Sequence, residues 1–153
     1  MQRTEFSGVA ELERARGAWT GTSDWLAVTQ ELVDEFARIT DDRQWIHVDP
    51  ERARRESPLG TTIAHGFLTL SLLPSLIQRC VSFPGARLSL NRGFERVRFV
   101  APVLVGSRVR GTFALEEVRP VDDGADLVWH VEVEIESGGK PALAAQWLTR
   151  VVF

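Results

Sequence analysis

The sequence predicts an α+β fold in which an antiparallel β-sheet wraps around one long central helix. Three observations carry that prediction. Residues 1–85 read as helix and loop, whereas residues 86–153 read as strand. Residues 63–81 contain Phe67, Leu68, Leu70, Leu72, Leu73, Leu76 and Ile77, which point in every direction of a helix, and a helix apolar all round is a buried one. The second half then alternates apolar and polar side chains, the pattern of strands with one dry and one wet face. A single domain with one buried helix needs a sheet large enough to enclose it.

Each element has its own signal. Residues 9–16 carry a short helical pattern, and residues 22–28 form an extended stretch. From Thr29, the residues Leu32, Val33, Phe36, Ala37 and Ile39 recur at three- and four-residue steps. That spacing predicts a helix with Thr29 as its N-cap and an end near Thr40. Asp49-Pro50 places a cap before a proline at the first helical position and opens a short charged helix through Arg55. Pro74, which lacks an N–H, predicts a kink in the central helix or the end of its regular part.

Residues 87–99 form the first long strand, interrupted at Gly93 by a bulge. Val109, Gly111, Phe113 and Leu115 alternate with Arg108, Arg110, Thr112 and Glu116. Leu127, Trp129, Val131, Val133 and Ile135 alternate with Val128, His130, Glu132, Glu134 and Glu136. Leu143, Ala145, Trp147, Thr149, Val151 and Phe153 make the last strand. Turn signals at Asp122-Asp123-Gly124 and Ser137-Gly138-Gly139 leave only short gaps, which imply antiparallel connections.

A length of 153 residues suits one domain, assigned to residues 1–153; a chain of that size buries roughly 70 % of its unfolded surface. With 44 % hydrophobic and 25 % charged residues, the composition excludes disordered and collagen-like classes. No apolar run approaches the roughly 20 residues of a membrane span. Met1-Gln2-Arg3-Thr4-Glu5 has no apolar region behind it, so no secretory signal is expected and the expected compartment is the cytoplasm. The single Cys80 excludes an internal disulfide and a cysteine metal cluster. A net charge of −3 speaks against a nucleic-acid partner. Of the 18 basic residues only Lys140 is a lysine; the arginine excess fits either codon bias or anion recognition.

Candidate chemistry gathers around two of the three histidines. His130 falls on the polar face of its strand and reads as a surface residue. His47 lies five residues after Asp42 in the polar stretch Asp41-Asp42-Arg43-Gln44-Trp45-Ile46-His47, between two helices. Functional residues concentrate on such loops. A carboxylate and an imidazole there can converge on one water, one group accepting a proton while the other donates. A plain alternative has Asp42 capping a turn and His47 packing half-buried. Asp49 with His47 and His65 has the composition of a two-histidine, one-carboxylate iron site. Asp49-Pro50 is already accounted for as a helix cap, so no metal is expected. His65-Gly66 opens the central helix, where free N–H groups suit a carbonyl oxygen gaining negative charge; close packing explains the pair equally. Arg92, Arg96 and Arg98 around the interrupted strand fit either phosphate binding or a solvated face.

Three motifs, in order, add a resemblance. Residues 36–53, centred on Asp42-Arg43-Gln44-Trp45-Ile46-His47, resemble the hydratase motif of the MaoC-like family, (R)-specific enoyl-thioester hydratases also described as 3-hydroxyacyl-thioester dehydratases. Ile63-Ala64-His65-Gly66-Phe67-Leu68-Thr69 is similar to that family's start of the central helix. Arg96-Val97-Arg98-Phe99-Val100-Ala101-Pro102-Val103 through Gly106 is similar to its next strand and turn. The resemblance covers residues 29–106 and departs at Asp41, where the family usually has Gly, and at Gln44-Trp45, where it usually has Asn-Pro. Pro74 stands where some members carry a serine near the acyl group, so that contact is not carried over.

The resemblance implies the hot-dog fold and a catalytic pair, Asp42 and His47, that adds water to C3 of a trans-2-enoyl thioester with protonation at C2. It implies substrate contacts from Gln44, Ala64, His65 and Gly66, with the Gly66 N–H polarising the thioester carbonyl. Arg92, Arg96 and Arg98 are the candidates for phosphate contact. No metal or redox cofactor is implied; coenzyme A or acyl-carrier protein comes only as the substrate's carrier. A homodimer is expected, because a lone hot-dog sheet has an edge and an exposed face to cover. A thioesterase on the same scaffold normally places a carboxylate on the central helix, and residues 63–81 contain no Asp or Glu. A non-catalytic acyl-binding subunit would have no use for the Asp42/His47 pair.

Overall fold

In the computed structural model, which describes residues 3–153, short elements fill the first half and long strands the second. The order is β1 (Thr4–Glu5), α1 (Val9–Ala15), β2 (Ala18–Thr22), β3 (Leu26–Ala27), α2 (Gln30–Thr40), α3 (Trp45–Val48) and α4 (Pro50–Glu56). Then come α5 (Gly66–Ser71), α6 (Leu73–Gln78), β4 (Val81–Ser82), β5 (Leu88–Phe99), β6 (Arg108–Val121), β7 (Gly124–Ile135) and β8 (Leu143–Val152). The reading of Met1 and Gln2 lies outside the described residues.

The six-stranded sheet runs β2-β6-β7-β8-β5, with β3 also paired to β6, and every pairing in it is antiparallel. β1 and β4 form a separate parallel ribbon. Period-two alternation sends Val109, Phe113, Leu115, Leu127, Trp129, Val131, Val133 and Leu143 inward, all fully buried. Leu68, Leu73 and Leu76 of α5 and α6 join the same core. The buried Trp129 indole donates to Thr149 Oγ1 at 3.0 Å, so its one polar atom is satisfied. Val128 breaks the expected alternation: it is buried, next to the register shift between Leu115 and Glu117 of β6.

Both helix caps follow the sequence. Leu32 N–H donates to Thr29 Oγ1 at 3.2 Å, and Arg52 N–H donates to Asp49 Oδ1 at 2.9 Å. The extended stretch starts earlier than expected, because Gly17, with φ 80°, turns the chain into β2 at Ala18. The central helix is two segments. Leu72 separates α5 from α6 but keeps helical torsions, and Leu76 N–H still reaches Leu72 O at 2.9 Å. Pro74 sits in the first turn of α6, where a missing N–H costs least.

Complete burial of this helix does not hold in the single chain. Phe67 is 67 % exposed and meets Phe99 edge-on with ring centres 5.7 Å apart. The reason is topological: β5 is the last strand of the sheet, paired with β8 alone among the described residues, so no further described strand extends that side.

Candidate active site

One backbone tie holds the predicted loop against the segment leading into the central helix, and two more anchor that segment to residues 103–105. Ile63 N–H donates to Ile46 O at 3.0 Å, Ala64 N–H to Val103 O at 2.8 Å, and Val105 N–H to Thr62 O at 2.9 Å. His47 therefore lies on the one-turn helix α3 rather than on an open loop, and it is only 7 % exposed. Its Nδ1 is 2.7 Å from Ile63 O. A main-chain carbonyl only accepts, so Nδ1 carries the proton and Nε2 keeps its lone pair. Burial pushes the His47 pKa down. The Ile63 hydrogen bond opposes that shift, His65 adds to it, and the Asp42 carboxylate opposes it again.

Asp42 is exposed, and its carboxylate comes within 4.8 Å of ring nitrogens of both His47 and His65. These three groups are of metal-ligating type, a different set from the one containing Asp49. The two imidazoles, however, are stacked with centres 3.8 Å apart and planes 25° from parallel. Stacked rings present their in-plane lone pairs side by side, whereas ligation of one ion needs them to converge. His47 Nδ1 and His65 Nε2 are already committed to main-chain carbonyls.

Beside the pair is a cavity of about 280 Å³, lined by His47, Ile63, Ala64, Gly66 and Thr69 on one side and by Phe99, Val100, Ala101, Pro102, Val103 and Ala142 on the other. A Cβ on Gly66 would lie 3.0 Å from the Phe99 ring, so glycine lets that wall close on the helix start. The expected substrate contacts divide here. Ala64 and Gly66 line the cavity with His47, while His65 stands behind His47. Gln44 is exposed at the N-cap of α3 and contributes its main-chain oxygen to His47 N–H at 2.9 Å.

The three arginines are not brought to this cavity, and Arg92 is separated from Arg96 and Arg98. Arg92 shares a surface depression with Arg119 and Asp126, and Arg96 and Arg98 share another with His130 and Gln146. Register shifts between Asn91 and Gly93 and between Phe94 and Arg96 explain the split. Cys80 is buried and its thiol is pushed up to about 11, chiefly by that burial, so it is no nucleophile at neutral pH.

The geometry can be set beside known proteins. A family model described as the MaoC like domain matches residues 12–136. The 3-hydroxyacyl-thioester dehydratase Z of Mycobacterium tuberculosis is 49 % identical over 148 residues, covering 96 % of this chain and 97 % of that protein. The chain belongs to the MaoC-like dehydratase family. Nodulation protein N of Rhizobium leguminosarum bv. viciae is 46 % identical over 151 residues, covering 95 % of this chain and 91 % of that protein. The unliganded R-hydratase PhaJ1 from Pseudomonas aeruginosa superposes on this MaoC-like chain with a TM-score of 0.76 at 21 % identity, covering 95 % and 86 % of the two chains. The fold is thus the hot dog.

Two residues of this MaoC-like site escape a reading of the sequence alone. Gln30 Nε2 donates to His47 O at 2.7 Å, and Thr62 Oγ1, 1 % exposed, donates to Gln30 Oε1 at 2.5 Å. One glutamine thus joins the His47 main chain to Thr62, whose next residue, Ile63, accepts the hydrogen bond from the His47 ring. Gln30 is 17 residues from His47 and 32 from Thr62, so no local spacing marks it. No described helix is long and apolar enough to cross a membrane.

Proposed function

We propose that the chain reversibly hydrates a trans-2-enoyl thioester to the (R)-3-hydroxyacyl thioester in fatty-acid metabolism, with Asp42 and His47 as the catalytic residues. The observation that carries this reading is the approach of the Asp42 carboxylate to His47, next to a cavity lined by His47 and Gly66. With Nδ1 committed to Ile63 O, His47 offers Nε2 as a base, and burial favours its neutral form. Nε2 takes a proton from a water that the Asp42 carboxylate orients. The water oxygen bonds to C3 as the C2–C3 π electrons move toward the thioester carbonyl. The Gly66 N–H donates to the carbonyl oxygen as it gains charge. The proton returns from the pair to C2, so one hydroxyl and one hydrogen are added; the reverse sequence expels water.

Coenzyme A or acyl-carrier protein enters only as the carrier, and no metal or redox cofactor takes part. A homodimer formed along β5 completes the reading. This 12-residue edge strand leaves Leu88, Leu90 and Phe99 exposed, and Val100 and Phe67 extend the same apolar surface. Purified protein incubated with a short trans-2-enoyl-CoA tests the activity. Loss of the conjugated-thioester absorbance without free thiol is the expected result. Thiol release would mean a thioesterase, and neither signal across chain lengths would sink the enzyme reading.

A further inference from the structure

His65 is positioned as more than the first residue before a helix. It is 2 % exposed, stacks on His47 and packs against Phe36 with ring centres 5.1 Å apart. Its Nε2 lies 2.9 Å from the main-chain oxygen of Asp42, 23 residues away in sequence. Because that oxygen only accepts, the proton of His65 is on Nε2. His47 carries its own on Nδ1, so the stacked rings are held in opposite tautomers. The Nδ1 of His65 has no partner among the described residues, so the ring makes a single hydrogen bond.

That bond reaches the exposed member of the pair. The other hydrogen bonds of residues 41–44 are local. Asp42 N–H makes a long 3.5 Å contact to Thr40 Oγ1, Arg43 pairs with Asp41, and His47 N–H reaches Gln44 O. Asp41 itself holds a left-handed φ of 59° at the end of α2, a conformation uncommon outside glycine but open to aspartate.

We propose that His65 is a positioning residue for the hydration chemistry. Its Nε2–H fixes the main chain at Asp42 while its ring fixes the plane of His47, so that carboxylate and imidazole face one water. This rests on the hydratase reading above. Two measurements test it. In a ¹⁵N–¹H correlation spectrum of histidine-labelled wild-type protein, His65 is expected as the Nε2–H tautomer and His47 as Nδ1–H; finding the proton of His65 on Nδ1 overturns the proposal.

The second measurement compares His65→Phe, which keeps a ring to stack but no donor, with His65→Gln, which keeps a donor. Both are assayed on a short trans-2-enoyl-CoA at a temperature where circular dichroism shows them folded. His65→Phe should lose about 10- to 100-fold in kcat with KM within about threefold, the cost of a misplaced catalytic group, and His65→Gln should recover most of it. A His65→Phe variant with wild-type kcat, or a His65→Gln variant as slow as His65→Phe, overturns the proposal. A wild-type protein inactive on every enoyl thioester breaks the hydratase reading instead. The tautomer spectrum of the wild-type protein then decides the placement of His65, and it decides likewise if the variants fail to fold.

Discussion

The segment around His47 and the outer face of the sheet treat polar groups in opposite ways. On the sheet, Arg110 pairs with Glu134 and Arg150 with Asp126, each across neighbouring strands, and Arg108 pairs likewise with Glu136. All are partly solvated, and exposed pairs of this kind contribute little one by one. Around His47 the polar groups are few, buried and dependent on single partners: Thr62 on Gln30, His47 on Ile63 and His65 on Asp42. Losing one partner there strands the other without water. The contrast separates the arginine excess from the chemistry. Nine arginines have a carboxylate within salt-bridge distance, so most of the excess is accounted for without an anionic ligand.

The contrast breaks most visibly if the buried side is silent. Asp42→Asn and His47→Gln should each lower the hydration rate by about 100-fold or more, the usual scale for a lost acid–base group. His47→Gln keeps an amide that can donate to Ile63 O, so its far-UV circular dichroism should match wild type. A variant retaining full rate removes that residue from the mechanism. Next in size is Thr62→Val, which deletes a buried hydroxyl and leaves Gln30 Oε1 without its partner. It should cost roughly 1–3 kcal/mol in urea unfolding and also slow turnover, because Gln30 holds the His47 main chain. A stability loss with unchanged kcat would confine the Gln30–Thr62 pair to a structural role.

Burial of His47 also sets a pH dependence. An unfolded histidine titrates near 6.5, and the folded His47 below that. Between the two values the unfolded chain holds a proton that the folded chain does not, so stability falls as pH drops through 6.5 and levels off below the folded pKa. The urea midpoint should therefore be lower at about pH 5.5 than at about pH 7.5, and His47→Gln should flatten that difference. Asp126 and Glu136, whose carboxyls are held low by hydrogen bonds from Arg150 and Arg108, act only at more acid pH. An undiminished slope in His47→Gln would assign the effect elsewhere.

Much of this was legible in the sequence because period and capping are local. Thr29 and Asp49 cap as their chemistry requires, and the inward residues of β6, β7 and β8 alternate as strands with one dry face do. Asp42 and His47 were visible from their spacing and from the surrounding motif. The hydrogen-bond network of Gln30 and Thr62 was not, since it joins three segments distant in sequence. The separation of Arg92 from the other two candidate arginines was hidden for a related reason. Arg92, Arg96 and Arg98 are neighbours along β5, but each bulge re-aims the side chains that follow it. Asp41 shows the reverse case: it holds a left-handed φ of 59° at the position where the motif resemblance expects glycine, with its carboxylate paired to Arg43 at 3.0 Å.

The smallest expected effect lies on the sheet. Arg110 donates to Glu134 at 2.7 Å and its guanidinium lies 4.5 Å from the centre of the Trp25 ring, so it has two partners where Arg108 and Arg150 each pair with one carboxylate. Even so, water reaches both members of the pair. Arg110→Ala, Glu134→Ala and the double variant should give a coupling of about 1 kcal/mol or less, shrinking as salt is raised. Hydration rates should stay at wild-type level in all three, because no polar contact among the described residues links this pair to His47. A coupling well above that range, insensitive to salt, would mean that the outer face holds its charges as tightly as the His47 segment holds its hydrogen bonds, and the division between the two regions would fail.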